Sequence, residues 1–237
     1  MIRIVALSIL LFGSVVVRGG ADSLHHKHPV LKSIAFPVGL IGLGVYNKWE
    51  NAVLNRFEIK NWRDKNFPNF YNRADDAMQL IPIGLVYGLD IMNVKARNDL
   101  LNRTILLVKT EILVNGITQF LKNTTQVTRP SGTNKHSFPS GHTAQAFAAA
   151  TFMHKELGHH SVWISIGAYT MATTVGAFRI LNNKHWSSDV LVGAGIGILG
   201  TNLVYLTHRY KWGKRPDLVL MPTYNDGPGV YMSLRIN

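Results

Sequence analysis

Two stretches of eighteen residues, Ser161 to Phe178 and Val190 to Thr207, contain no charged side chain. Segments of that length and composition must pair their own backbone groups while hiding apolar side chains, which an α-helix does. Leu100 to Leu121 is also apolar at helical spacing, interrupted by Lys109, Glu111 and Asn115. Lys109 and Glu111 are two apart, so they do not share a helical face. Val30 to Tyr46, broken by Lys32 and Pro37, and Ala77 to Val94, carrying Asp90, add shorter apolar runs. His142 to Phe152 is small and apolar. These segments predict an all-α fold, an antiparallel bundle of about six core helices. Gly193, Gly195, Gly197 and Gly200 let one helix approach its neighbours closely, in a membrane or in a tight soluble bundle. A mean hydropathy of +0.07 leaves both settings open.

The flanks differ in kind. Met1-Ile2-Arg3, the apolar run Ile4 to Val17 and Gly19-Gly20-Ala21 read as a signal peptide or N-terminal anchor over residues 1–21. His25, His26 and His28 follow and fit a juxtamembrane stretch better than a metal site. Asn47 to Asp75 is polar and aromatic-rich, with Trp49, Phe57, Trp62, Phe67, Phe70 and Tyr71. It reads as short amphipathic helices suited to a water–lipid boundary. At the other end, Leu218 to Tyr224 and Val230 to Ile236 flank Asn225-Asp226-Gly227-Pro228-Gly229, which predicts a small hairpin or extended tail. With no repeat and no low-complexity linker, residues 22–237 are read as one domain.

A net charge of +12 favours acidic partners. No basic run of the nucleic-acid type is present, so nucleic acid is set aside in favour of anionic lipid. The chain has no cysteine, which excludes disulfides and thiolate chemistry. Oligomeric state is not legible.

Ionisable residues gather where the apolar segments end. Lys122 closes one helix, and Arg129 lies in the loop after it. Ser140-Gly141-His142 opens the next helix, behind Pro139. Arg179 closes the segment from Ser161, and His185 to Asp189 opens the following one. In an antiparallel bundle these ends fall at one pole. Ser140 is a good N-cap, leaving helix N–H donors for an anion, and Gly141 permits close approach. Arg129 and Arg179 offer planar forks to phosphoryl oxygens, and Lys122 a point charge. His185 and Asp189 are four apart on a helix start, so a carboxylate can fix one ring nitrogen and leave the other as nucleophile. Lys135, His136 and Lys184 add positive potential nearby.

The patterns Lys122-x6-Arg129-Pro130, Pro139-Ser140-Gly141-His142 and Arg179-x5-His185-x3-Asp189 resemble the type 2 phosphatidic acid phosphatase and vanadium haloperoxidase superfamily. The resemblance runs from about Lys122 to Asp189. Phe178 stands where the family has serine, which bears on the pocket wall. The resemblance implies that His185 attacks phosphorus, Asp189 orients it and His142 protonates the leaving oxygen. It implies that Lys122, Arg129, Ser140, Gly141 and Arg179 bind the phosphate, with no metal and no cofactor. The expected activity is metal-independent hydrolysis of phosphate monoesters or pyrophosphates of membrane lipids through a phosphohistidine. Lipid A, polyprenyl pyrophosphate, phosphatidylglycerophosphate and phosphatidate are the candidate substrates. The alternatives are a soluble periplasmic acid phosphatase, a vanadium haloperoxidase and a non-catalytic anionic-lipid binding protein. The expected place is a bacterial inner membrane with the site facing the periplasm, or else the periplasm itself. Six spans with the amino terminus inside put every motif outside, and Lys95, Arg97, Arg209, Lys211, Lys214 and Arg215 inside. A cleaved signal removes that match unless one segment, such as Val30 to Tyr46, does not span.

Overall fold

The computed structural model describes residues 29–49, 52 and 55–209, and the backbone of residues 217–224 and 228–235. Residues 1–21 and His25, His26 and His28 lie outside them. The described elements are α1 (Pro29–Tyr46), α2 (Arg56–Asn66), α3 (Ala74–Met78), α4 (Ile81–Ile91), α5 (Leu100–Thr125), α6 (Gly141–Leu157), α7 (Val162–Leu181) and α8 (Ser187–Thr207). They are followed by β1 (Asp217–Tyr224) and β2 (Pro228–Arg235), paired antiparallel with Leu220 opposite Met232. The expected bundle and the expected terminal hairpin are both present.

Helix α6 forms the axis. It is buried on most sides, through Ala144, Ala146, Ala148, Ala149, Ala150, Phe152, Met153 and Leu157. Alanines at that density let α4, α5, α7 and α8 pack around it. The closest approach is to α8. A Cβ on Gly193 would lie 2.6 Å from the Ser140 carbonyl oxygen, and one on Gly197 would meet the Ala144 carbonyl. Only glycine fits at this backbone-to-backbone contact. Helix α1 covers the far side of α8, where Leu40 packs with Ala194 and Ile198.

Helices α5, α7 and α8 are each long and apolar enough to cross a membrane. They differ in how much of that surface the protein covers. In α8, 61% of the apolar window is buried, against 33% in α7 and 22% in α5. Ile112, Phe120, Trp163 and Ile166 all face outward. Apolar side chains exposed along such helices mark the protein as membrane-associated.

Sharp caps set the helix ends that carry the motifs. Asp99 accepts from the N–H groups of Leu101 and Asn102 to start α5. Gln126, at φ 43°, ends it and returns its N–H to the Lys122 carbonyl. The C-terminus of α5, the N-terminus of α6, the C-terminus of α7 and the N-terminus of α8 therefore meet at one pole.

Candidate active site

The meeting of these four ends is explicit in the hydrogen bonds. The Ser140 N–H donates to the Asp189 carbonyl at 3.0 Å, joining the starts of α6 and α8. The Trp186 indole donates to the Thr128 carbonyl at 2.8 Å, tying the α8 start to the loop after α5. A Cβ on Gly141 would sit 3.3 Å from Lys122 Nζ, so the ammonium lies against the glycine that opens α6. Ser140 is fully buried, and its hydroxyl caps α6 through the Thr143 N–H and bonds the Thr143 hydroxyl at 2.8 Å.

His185 is only 2% exposed. Its Nδ1 lies 2.7 Å from the Ser137 carbonyl oxygen and 3.7 Å from Asp189 Oδ2. The backbone carbonyl is an acceptor only, so Nδ1 carries the hydrogen and Nε2 keeps its lone pair. The direct carboxylate bond expected from the spacing is replaced by a carbonyl bond. Asp189 instead braces both flanks of the histidine. Its carboxylate accepts from the Ser137 hydroxyl at 2.5 Å, the Trp186 N–H at 3.0 Å and the Ser188 hydroxyl at 3.2 Å. Burial pushes the His185 pKa down to about 4, against the opposing pull of Asp189. A neutral ring with a free Nε2 lone pair is the state a nucleophile needs.

The two arginines are held in different ways. Arg179 is 3% exposed and donates from Nη1 to Asp75 at 2.6 Å. Arg129 lies in the loop that closes from its own N–H to the Asn134 carbonyl. Burial first, then the Arg179 charge, hold its pKa down, while Asp189 opposes. Among the described residues, the Nε of Arg129 and the Nε of Arg179 are buried without an acceptor. A buried charged donor with no partner is costly, and an anion satisfies it.

His142 is less enclosed, with its side chain 32% exposed. Its Nε2 lies 2.9 Å from Asp76 Oδ1. Burial, and then Arg179, lower its pKa, while Asp76 raises it. His142 also holds the Asp76 carboxyl below its usual value.

Residues 103–213 match the family model described as the PAP2 superfamily. The chain is 34% identical over 190 residues to the lipid A 1-phosphatase of Porphyromonas gingivalis. The chain is thus similar to the PAP2 superfamily. That alignment covers 78% of this chain and 41% of the relative, so the chain spans well under half of the relative's length. Among solved structures, the Aquifex aeolicus LpxE matches at 22% identity and a TM-score of 0.43, over 85% of this chain and 94% of that one. The transmembrane PAP2 type phosphatidylglycerolphosphate phosphatase of Bacillus subtilis matches at 20% identity and a TM-score of 0.47, over 74% of this chain and 98% of that one.

Within this fold, all eight residues singled out in the sequence lie at the same pole. Phe178, the departure from the family pattern, packs its ring 5.8 Å from Phe70, in the aromatic segment before α3. Three contributors were missed. Asp75 and Asp76 stand 104 and 66 residues from the groups they contact. Ser137 acts through its carbonyl, which no residue type announces. The acidic pair did carry a signal, being adjacent carboxylates among only 13 acidic residues in a chain with 25 lysines and arginines. A cleft on the α2 side, lined by Arg56, Lys60, Pro130 and Trp186, also includes His185. Among the described residues, no three His, Asp or Glu side chains converge as metal ligands.

Proposed function

We propose that the protein is a metal-independent phosphatase of phosphorylated membrane lipids, working through a phosphohistidine on His185. The observation that carries this reading is the pair of buried, acceptor-less Nε–H groups of Arg129 and Arg179 at the pole that holds a neutral His185. Nε2 of His185 forms a bond to phosphorus as the bond to the leaving oxygen breaks. His142 gives that oxygen its proton. Water then attacks the phosphohistidine, His142 takes the water proton, and phosphate leaves with His185 restored. Lys122, Arg129, Arg179 and the α6 N–H groups behind Ser140 and Gly141 stabilise the charge on the transferring group, the role metal ions play elsewhere. Asp189 keeps Ser137 and Trp186 in register on either side of the nucleophile.

The outward apolar faces of α5 and α7 support a lipid over a soluble ester. The lipid A 1-phosphatase relative supports lipid A as the first substrate to try. We place the catalytic unit within residues 22–237 and its site at the periplasmic face of a bacterial inner membrane.

The test is hydrolysis of a lipid phosphate by detergent-solubilised protein in excess chelator. Activity should persist. Activity that disappears with chelator and returns with magnesium would overturn the reading.

A further inference from the structure

Helix α3 has five residues and carries adjacent carboxylates that part at the site. Asp75 is 1% exposed and is taken by Arg179. Asp76 faces His142 instead, with Oδ1 2.9 Å from Nε2 and 3.9 Å from Arg179 Nη1. Its Oδ2 is 3.6 Å from the exposed Arg73. The short helix is itself anchored. The Asn72 N–H donates to the Asn182 side chain at 3.0 Å, and the Asn182 amide returns a bond to the Asn72 carbonyl at 2.7 Å.

We propose that Asp76 is a positioning residue for the general acid, holding Nε2 of His142 so that Nδ1 is the nitrogen that serves the leaving oxygen. The inference rests on reading His142 as that acid. A ring in the first turn of a helix, one third exposed, has rotamer freedom that a carboxylate at one nitrogen removes. The charge matters as well. His142 must be protonated to act, yet burial and Arg179 disfavour its charged form. Asp76 and Asp75 oppose them, while Arg179 and Lys184 act in turn on Asp76. In the step itself, the imidazolium loses its Nδ1 proton to the leaving oxygen as the phosphorus–oxygen bond breaks. The neutral ring that remains still donates from Nε2 to Asp76. The tautomer left behind is therefore the one whose bare Nδ1 accepts the proton of the incoming water.

The experiment follows kcat against pH for the solubilised full chain on an alkyl lipid phosphate and on p-nitrophenyl phosphate. Asp76→Ala should lower kcat on the alkyl ester by about 10–100-fold, and on the nitrophenyl ester by about threefold or less, because general acid help shrinks with a good leaving group. Asp76→Asn keeps an acceptor without the charge, so the basic limb of the alkyl profile should move to lower pH. Asp76→Glu should restore that limb, and it keeps the test alive if the alanine variant fails to fold. Equal losses on both esters, or a KM rise on both with kcat unchanged, would assign Asp76 to Arg179 or to the fold and overturn the proposal. His142→Ala is run alongside. If that variant shows no dependence on the leaving group, the role of His142 has failed and not the contact made by Asp76.

Discussion

The two histidines of the site sit in regions built on opposite terms. His185 lies at the start of α8 in a closed wall, with its ring fixed by a backbone carbonyl and its carboxylate neighbour spent on three protein donors. His142 opens α6 at a partly exposed edge, and its partner Asp76 comes from a five-residue helix held by an asparagine pair. A nucleophile gains from rigidity, because it must meet one atom along one line. An acid that serves a lipid alkoxide and then a water meets two different oxygens. A looser mount on a short helix suits that second task.

The largest test of this contrast removes the closed region's ring. His185→Ala should abolish turnover on every ester, since no covalent intermediate can form. Rapid-quench trapping should find an acid-labile phosphoryl adduct in the wild type and none in the variant. An adduct surviving in His185→Ala would place the nucleophile elsewhere. His142→Ala comes next. It should cost about 10²–10⁴-fold on an alkyl phosphate and far less on p-nitrophenyl phosphate. Identical leaving-group dependence in the two variants would erase the contrast.

A smaller effect separates the regions by pH. Burial holds the His185 pKa near 4, below its ordinary value, so the nucleophile stays neutral as pH falls through 6 and 5. Protonation should remove activity only as pH approaches about 4. As the proposed general acid His142 must carry a proton, so its titration should remove activity in the other direction, as pH rises. Single-turnover adduct formation from p-nitrophenyl phosphate, which needs the acid least, isolates the lower limb. A limb near the ordinary histidine value would mean that water reaches His185 and that the wall is not closed.

Much of the proposed site was legible because a phosphate cradle, if that is its task, writes itself in residue types. Arginines, a lysine and a Ser-Gly-His helix start have few substitutes, and uncharged segments between them fix which ends meet. The fold was legible for the same reason, since eighteen uncharged residues leave a helix few alternatives. What stayed hidden depends on distance and on backbone. The i, i+4 spacing of His185 and Asp189 places both on one face, but the angle between them is set by the loop that brings Ser137 alongside. Asp75 closed the amphipathic stretch and Asp76 fell between it and the next apolar run. The packing of α3 against α7 and α6 buries Asp75 and brings the exposed Asp76 to His142. Phe178 stands where the family's serine is polar, and Phe70, supplied from the aromatic segment, accounts for the exchange as an apolar contact.

The smallest and most discriminating test acts on neither histidine. Asn182 ends α7 and makes both bonds that hold the chain at Asn72, just before α3. Asn182→Ala removes those bonds without touching Asp76 or His142. A hydrogen bond is worth about 0.5–1.5 kcal/mol net, so α3 should loosen and not unfold the bundle. If α3 exists to hold the acid, turnover of an alkyl lipid phosphate should fall by about two- to tenfold. The burst of adduct from p-nitrophenyl phosphate should be unchanged, because His185, Ser137 and Asp189 share no bond with Asn72. An equal loss in both measurements would mean that Asn182 supports the nucleophile through Arg179, three residues before it. The closed and open regions would then be one mechanical unit.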